Sequence, residues 1–542
     1  MKKISNFLSI ILTLIMVISI IPMSAITSNA YVYSGECGDN VTWSYNTSTY
    51  TLTISGTGDM YDYSYNNRPW ESYEDDIKTV VINNGVTTIG DWAFYDCDSL
   101  TSVTIPDSVT TIGDYAFCGC DSLASVTIPD SVTNIGNGAY LHTAYYNNAN
   151  NWENDVLYID EYLINAKRSI SGNREIKDET RIIADKAFEF CESLTGITIP
   201  DSVTIVGNDA FAHCYGLTSV TIPDSVTIIG NDAFSYCSNL VSVIIGESVT
   251  IIGIQAFYSC FKLTSIMVDE NNEKFSSDEY GVLYNNDKTT LIQYPIGKTG
   301  TSYTIPDSVI TIGDLAFFHC SLITSVTIGD SVTTIGNDAF SYCSNLESVT
   351  IGDSVTTIGN GAFYECQSLA SVTIPDGVTT IGDWTFFLCP SLTSVTIPDS
   401  VTTIGDYAFI DCSNLTDVFY GGTEAQWKKI SIGSYNEDLT DATIHYNYHI
   451  HEYDSVVTVP TCTKDGYTTY TCECGDTYMK NMISATGHED LDVDAHCDHC
   501  DELLCDHDCH RGGITGFFWK ITNFFNKIFG SNKTCSCGVA HY

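Results

Sequence analysis

Positive charge is scarce in this chain: 22 Lys and Arg stand against 67 Asp and Glu over 542 residues, a formal net charge of −45. Such a surface repels phosphate backbones and anionic headgroups, so nucleic acid is excluded as a partner, while cations and basic protein patches remain in play. Long apolar runs are scarce too. After the first 30 residues no uncharged apolar stretch of about 18 residues follows, so no membrane-spanning helix is expected beyond them. A Leu-Pro-x-Thr-Gly sorting motif is missing, which leaves sortase attachment to a wall without support. No Ser/His/Asp, Cys/His or paired-carboxylate arrangement recurs, so the chain reads as a protein without catalytic machinery.

Apolar residues make up 44% of the chain and aromatics 12%, enough to place the acidity on a packed fold and not on a disordered one. Residues 1–30 have the layout of a secretory signal: Lys2 and Lys3, an apolar run from Phe7 to Ile21, then Ser28-Asn29-Ala30. The mature chain is expected to start near Tyr31 and to be secreted or held at the cell surface.

The main signal is a 23-residue repeat, as in Ser102-Val-Thr-Ile-Pro-Asp-Ser-Val-Thr-Thr-Ile-Gly-Asp-Tyr-Ala-Phe-Cys-Gly-Cys-Asp-Ser-Leu123. A phenylalanine recurs at 94, 117, 188, 211, 234, 257, 317, 340, 363, 386 and 409, each followed three residues later by cysteine, and Tyr140 marks a degenerate copy. A fixed period of this size predicts a solenoid, whose coils pack on their neighbours and build an extended surface in place of a pocket. Leu100-x-x-Val103-x-Ile105 alternates inward apolar residues with outward Ser102 and Thr104, a strand pattern that predicts a parallel sheet of one strand per coil. Pro106-Asp107 turns the chain, Val109 and Ile112 add an apolar pair, Gly113 is expected to allow a tight corner, and Ala116, Phe117 and Cys120 fill the far side.

The run Val-Thr-Ile-Pro-Asp-Ser-Val-Thr-x-Ile-Gly-x-x-Ala-Phe-x-x-Cys-x-x-Leu resembles the leucine-rich repeat, specifically the BspA-like class of bacterial surface proteins, over residues 77 to about 446. It departs from the general leucine-rich consensus at Ser108 and Val109, which stand where Asn or Cys followed by Leu belongs. The resemblance implies a mainly β leucine-rich repeat solenoid that binds host or neighbouring-cell macromolecules, with adhesion the commonest form. A non-adhesive surface scaffold or glycan-recognition module is the alternative.

The expected layout is a signal peptide at 1–30, a β-rich N-terminal cap at 31–76, the solenoid at 77–416 and a C-terminal cap at 417–448 covered by Trp427. A Cys/His-rich module at 449–512 and an aromatic amphipathic tail at 513–542, ending in Cys-x-Cys, follow. Residues 141–180 and 266–303 break the period and read as coils enlarged by inserted loops, although Val156-Leu-Tyr-Ile and Gly281-Val-Leu-Tyr have strand character.

Candidate sites fall into three groups. Aromatic side chains concentrate where the repeats differ most from one another: Tyr95, Phe190, Tyr236, Tyr258, Phe318, Tyr342, Tyr364 and Phe387 between the Phe and the Cys, and Tyr115 and Trp384 after Gly-Asp. Aromatics dominate binding hot spots, so this stripe is a candidate contact for a protein or glycan, with edge packing the plain alternative. The turn after the long strand, Pro-Asp in most coils and Gly-Asp at 330 and 353, stacks Asp107, Asp130, Asp201, Asp224, Asp307, Asp330, Asp353, Asp376 and Asp399 along one edge, either as turn chemistry or as a calcium ladder. In the tail, Cys462, Cys472, Cys474 and His488 form one candidate zinc set, and Cys497, Cys500, Cys505 and Cys509 a second. Disulfides are the rival reading for a secreted chain. Phe517, Phe518, Ile521, Phe524, Phe525 and Ile528 fall at helical spacing, a candidate face for peripheral membrane, wall or partner contact.

Overall fold

The computed structural model of the chain describes residues 31–448, 453–460, 464–472 and 477–485. Two compact units divide the chain, one ending at Asn447 and the other beginning at Tyr448. In the first, Val32–Gly38, Val41–Asn46 and Thr51–Gly56 form an antiparallel meander. Thr51–Gly56 then pairs in parallel with Thr79–Ile82, the first long strand of the array. Trp70 is fully buried beneath this meander and donates its indole N–H to the Ala93 carbonyl at 2.9 Å.

From there the chain coils. Ser219–Ile222, Ser242–Ile245 and Ser265–Val268 pair in parallel with each residue opposite its own counterpart, Ser219 to Ser242 and Ser242 to Ser265. A second, shorter strand in each coil, absent from the one-strand expectation, builds another parallel sheet: Ile205–Val206, Ile228–Ile229 and Ile251–Ile252. The Thr-Ile step makes it, because Thr227 and Gly230 donate N–H bonds of 2.8 Å to Thr204 and Val206 of the preceding coil. Thr227 Oγ1 adds a bond to the Thr204 carbonyl at 3.1 Å.

The third side of each coil is a run of tight turns that still bonds between coils. Trp92, Phe94 and Asp96 donate to the carbonyls of Asp114, Ala116 and Cys118 at 2.8–2.9 Å, while Ala93, Tyr95 and Cys97 close turns on Gly90, Trp92 and Phe94. The first and third of those donors are left-handed, φ 57° at Trp92 and 52° at Asp96, and the pattern repeats at Asp209 with His213 and at Asp232 with Tyr236. Each non-glycine residue there costs roughly 1–2 kcal/mol, which the inter-coil bonds offset. Gly113 serves a purpose other than the expected corner: its φ lies outside the left-handed region, and a Cβ on it would sit 2.5 Å from Asp91 Oδ1. The residue is glycine because the preceding coil approaches so closely.

The repeat phenylalanines form a buried column. Phe188, Phe211, Phe234 and Phe257 stack at 5.0–5.8 Å, and Phe317, Phe340, Phe363, Phe386 and Phe409 at 4.7–5.5 Å, with Trp70 starting the first column on Phe94 at 5.7 Å. Beside it runs a ladder of thiols. Cys120, Cys214, Cys237, Cys260, Cys343, Cys366, Cys389 and Cys412 each donate to the carbonyl of the phenylalanine one coil back, at 3.1–3.3 Å. Cys191 and Cys320, the first after each enlarged coil, reach only 3.8 Å. All thirteen described cysteines of this unit are free and buried.

The enlarged coils are strands where inserted loops were expected. Trp152–Glu153, Val156–Ile159 and Tyr162–Ala166 form an antiparallel sheet whose last strand joins Ile182–Ile183 in parallel. Phe275–Ser277, Leu283–Asn285 and Thr290–Gln293 repeat this design and join Thr311–Ile312. Both carry a register shift at the same place, after Leu157 and after Leu283. Leu157, Leu163, Leu283 and Leu291 are fully buried, so each insert supplies core to the solenoid and does not project from it.

At the far end Asp417–Tyr420 with Thr443–His445 extends one sheet and Ser431–Ile432 the other. The last three inward N–H donors are all met: Tyr407 by the Ser434 carbonyl, Phe409 by Asn436 Oδ1 at 3.0 Å, and Asp411 by the Asp438 carboxylate. Trp427 packs edge-on against Tyr420 at 5.1 Å. The second unit contains an antiparallel meander of Tyr453–Thr458, Gly466–Cys472 and Thr477–Ile483.

Desolvation raises the array thiols, to about 12 at Cys191, Cys260, Cys343 and Cys412. Thiolate is the reactive form, so these thiols are inert in the native state. Iodoacetamide at pH 8 followed by peptide mapping is expected to leave the array cysteines unmodified natively and to modify all of them after denaturation. Native labelling of Cys237 or Cys366 would contradict the ladder.

Candidate binding surfaces

The aromatic stripe resolves into two non-equivalent positions, one and two residues after the buried phenylalanine. Phe190, His213, Tyr236 and Tyr342 occupy the second, which is left-handed, whereas Tyr95, Tyr258, Phe318, Tyr364 and Phe387 occupy the first. Where one position is aromatic the other is usually small or polar, as in Ser235-Tyr236, Ser341-Tyr342, Tyr258-Ser259 and Tyr364-Glu365. Most coils thus contribute one ring and the coil of Phe318 and His319 two, and from Phe190 to Phe387 the rings touch in sequence, with His319 stacking on Tyr342 at 4.4 Å. Phe190–His213 and His213–Tyr236 stack at 4.4 and 4.6 Å, Tyr258–Phe318 and Tyr364–Phe387 at 4.7 Å, with edge or tilted contacts of 5.3–5.5 Å between them. Tyr258 and Phe318 meet because the second enlarged coil is looped out of the column between them. The Arg168 guanidinium covers the start of the column, 4.9 Å over Phe190.

Tyr115 and Trp384 belong to a different, left-handed position two residues after the glycine. Tyr115 stacks on Trp92 at 4.5 Å, and Trp384 on Tyr407 at 4.8 Å, which continues to Tyr435 at 4.5 Å. Tyr95 packs on Trp92 and Tyr65 near the N-terminal cap. A stacked ring offers its edge, not its face, so these columns leave little of the flat surface that sugar stacking needs.

The aspartates of the Pro-Asp turns are all exposed. Asp224 and Asp330 accept the N–H of Glu247 and Asp353 in the next coil, both at 3.2 Å. Among the described residues no three His, Cys, Asp or Glu side chains gather where they would hold a metal ion. Of the tail candidates, the backbone of Cys472 closes the strand Gly466–Cys472; Cys462, Cys474, His488, Cys497, Cys500, Cys505 and Cys509 lie outside the described residues, as do residues 1–30 and 513–542.

A second side-chain ladder escaped the sequence reading. The Asp or Asn that follows Ile-Gly in most coils, and Ile-Ala or Val-Gly at 185 and 208, accepts a backbone N–H from the following coil: Asp91 from Asp114, Asp114 from Asn137, Asp185 from Asn208, Asn208 from Asn231, and onward from Asp314 to Ser434, at 2.7–3.0 Å. Its signal was present, since this place is Asp or Asn in nearly every copy. Ser108, standing where the general consensus has Asn or Cys, makes its own ladder by donating to the Val86 carbonyl at 2.7 Å.

Also unread was an apolar break in the Ser/Thr face of the long strands. The outward threonine of the repeat is replaced by Ile244 and Met267 in adjacent coils, exposed by 50% and 39%, and Val241 lies exposed beside them. Ile244 lines a depression of about 590 Å³ together with Thr195 and Thr221, and Asp201, Asp224 and Asp269 stand on its rim. No Lys, Arg or His lines it.

A BspA-type leucine-rich repeat model matches residues 72–172, 166–285 and 297–416 in six copies, more than half of the chain. The chain belongs to the BspA-type leucine-rich repeat family. Among solved structures it is similar to a leucine-rich repeat protein from Eubacterium ventriosum ATCC 27560, 24% identical, with 78% of this chain and 97% of that one covered and a TM-score of 0.41. A leucine-rich cell-surface protein from Faecalibacterium prausnitzii A2-165 is 28% identical, with 74% and 97% covered and a TM-score of 0.42. The pneumococcal vaccine antigen PcpA is 19% identical, with 78% and 98% covered and a TM-score of 0.41. No curated protein matches.

Within this BspA-type array the Asp/Asn ladder carries a pH dependence. Burial pushes the Asp185 carboxyl up to about 6, against the lowering effect of the Asn208 side-chain and backbone donors, and nearby Asp114 and Asp209 push it further up. A carboxyl whose folded pKa lies above its unfolded one holds its proton longer in the native state, so stability is lost as pH rises from about 4 to about 6. Asp185→Asn supplies the residue that Asn208 and Asn231 already use. Its melting temperature is expected to match the parent at pH 4.5 and to exceed it at pH 7.5; equal melting at both would contradict the assignment.

Proposed function

We propose that this BspA-type solenoid is a secreted or cell-surface module that binds extracellular proteins, with the long-strand face between Ser193 and Val268 as its contact surface. The observation that carries the reading is the apolar break at Val241, Ile244 and Met267. Exposed apolar side chains cost stability in water, and here they replace the threonine that serves the coil elsewhere. The acidic rim of Asp201, Asp224 and Asp269 suits a partner whose surface pairs apolar residues with Lys or Arg. Adhesion to a host or neighbouring-cell protein is the form of binding that the family resemblance favours, and residues 1–30 supply the export signal it requires. The stacked columns, with their ring faces covered, favour a protein over a glycan.

Ile244→Thr with Met267→Thr restores the repeat and is expected to fold normally. Binding of the mature chain to immobilised matrix and cell-surface proteins is expected to weaken at least tenfold in this variant, and also between 0.15 and 0.5 M salt. Binding to a carbohydrate array alone, or equal protein binding by variant and parent, would sink the reading.

A further inference from the structure

The backbone ladder on the turn side of the coils is interrupted at one place that also opens a cavity. In the coil before the second enlarged one, Asp232, Phe234 and Tyr236 donate to Ile254, Ala256 and Tyr258 as the repeat requires. The next set of donors, the N–H groups of Gln255, Phe257 and Ser259, meets no acceptor among the described residues. Gly138, Tyr140 and His142 at the first enlarged coil are likewise outside the ladder. Such gaps are not a general feature of coil ends, since the C-terminal cap meets the equivalent donors of Tyr407, Phe409 and Asp411 one by one.

What faces the donors at the second enlarged coil is a crevice of about 300 Å³. Tyr294 takes over the column position on its far wall, stacking on Phe317 at 5.0 Å and donating its N–H to the Ala316 carbonyl. The walls include Phe257, Tyr258, Phe275, Ile292 and Leu315, and Asp314 is their one charged residue. At the mouth stands Ile254, 73% exposed, in the place that is Asp or Asn in nearly every other coil. The coil has thus exchanged a ladder residue for an apolar one at the point where its backbone donors face open space.

We infer that this crevice is a second docking site, which receives an apolar side chain of a partner peptide while the peptide's carbonyl groups accept from Gln255, Phe257 and Ser259. This deepens the protein-binding reading and rests on it. Donors on alternate residues of one run of tight turns call for acceptors at two-residue spacing, which a peptide main chain carries and a hydrocarbon chain does not. A volume of 300 Å³ is at the lower end of the range for ligand pockets and holds one or two apolar side chains. The acidic surface disfavours fatty acids and acidic peptides, so the occupant is a neutral or Lys-flanked apolar segment.

The test is amide hydrogen exchange on the full mature chain, with and without a pool of acetylated, amidated heptapeptides that carry a central Leu or Phe flanked by Lys. Amides of residues 255–259 are expected to exchange at least tenfold more slowly with the pool. Ile254→Asn, which restores the usual residue at that place, is expected to abolish the protection, and Ile244→Thr with Met267→Thr to leave it intact. Protection confined to residues 241–245 and 265–268 would overturn the crevice proposal while leaving the strand-face reading standing. Protection at 255–259 by decanol and not by the peptides would overturn it in favour of a lipid-type occupant, and no protection there by either would overturn it outright.

Discussion

Translation by one coil is the constraint on which everything else in this structure depends. Most of the hydrogen bonds that join regular coils connect residues 22, 23, 24 or 26 positions apart, so each side chain has its own counterpart as nearest neighbour at about strand spacing. A residue survives in the repeat when it tolerates a copy of itself about 5 Å away. Phenylalanine stacks, threonine and serine donate to the carbonyl of the preceding coil, and cysteine fits as a small donor. Exposed aspartates also pass, because two such charges in water repel by only about 0.8 kcal/mol. In the ladder after Ile-Gly, Asn337 and Asn360 stand between Asp314 and Asp383 and so space those carboxylates apart.

The two enlarged coils are where this translation fails, and the features proposed for recognition gather near the second of them. The long-strand sheet stops at each: no strand forms at Ser125–Thr127 before the first, and a separate three-stranded sheet ends at Val268 before the second. A side chain next to such a fault no longer has to match a counterpart. That freedom is visible in the coil from Val241 to Lys262, which exposes Val241, Ile244, Ile251, Ile254 and Phe261 at places that are polar in most other copies. Uniformity maintains the scaffold, and departures from it mark surface with another use.

The period of 23 was enough to read the solenoid, the inward face and the stacked phenylalanines, because translation turns a sequence repeat directly into a spatial one. It was less informative wherever two residues share a task. Tyr236 and Tyr258 looked like one position and are two, because the chain supplies its ring from whichever neighbour points outward. The Asp/Asn ladder was hidden by attention to the Pro-Asp turn, whose aspartates are the more conspicuous and the less constrained. Gly113 was read through its backbone freedom, whereas a neighbour's carboxylate fixes it. For the inserts, Val156-Leu-Tyr-Ile and Gly281-Val-Leu-Tyr showed strand character, but their pairing with the following coil depends on contacts that no local pattern encodes.

The thiol ladder has a further consequence wherever the chain meets oxidising surroundings. Thirteen free thiols are shielded once the coils have closed, and each is exposed whenever its coil opens. An unfolded chain outside the reducing cytoplasm is open to mispaired disulfides that no longer fit the stack, so refolding competes with oxidation and loses ground with time. Durability is then set by the rate at which coils open and not by the equilibrium between folded and unfolded chains. Hydrogen bonds between successive coils slow that opening, and a repeat architecture lets the protective barrier grow with each coil added.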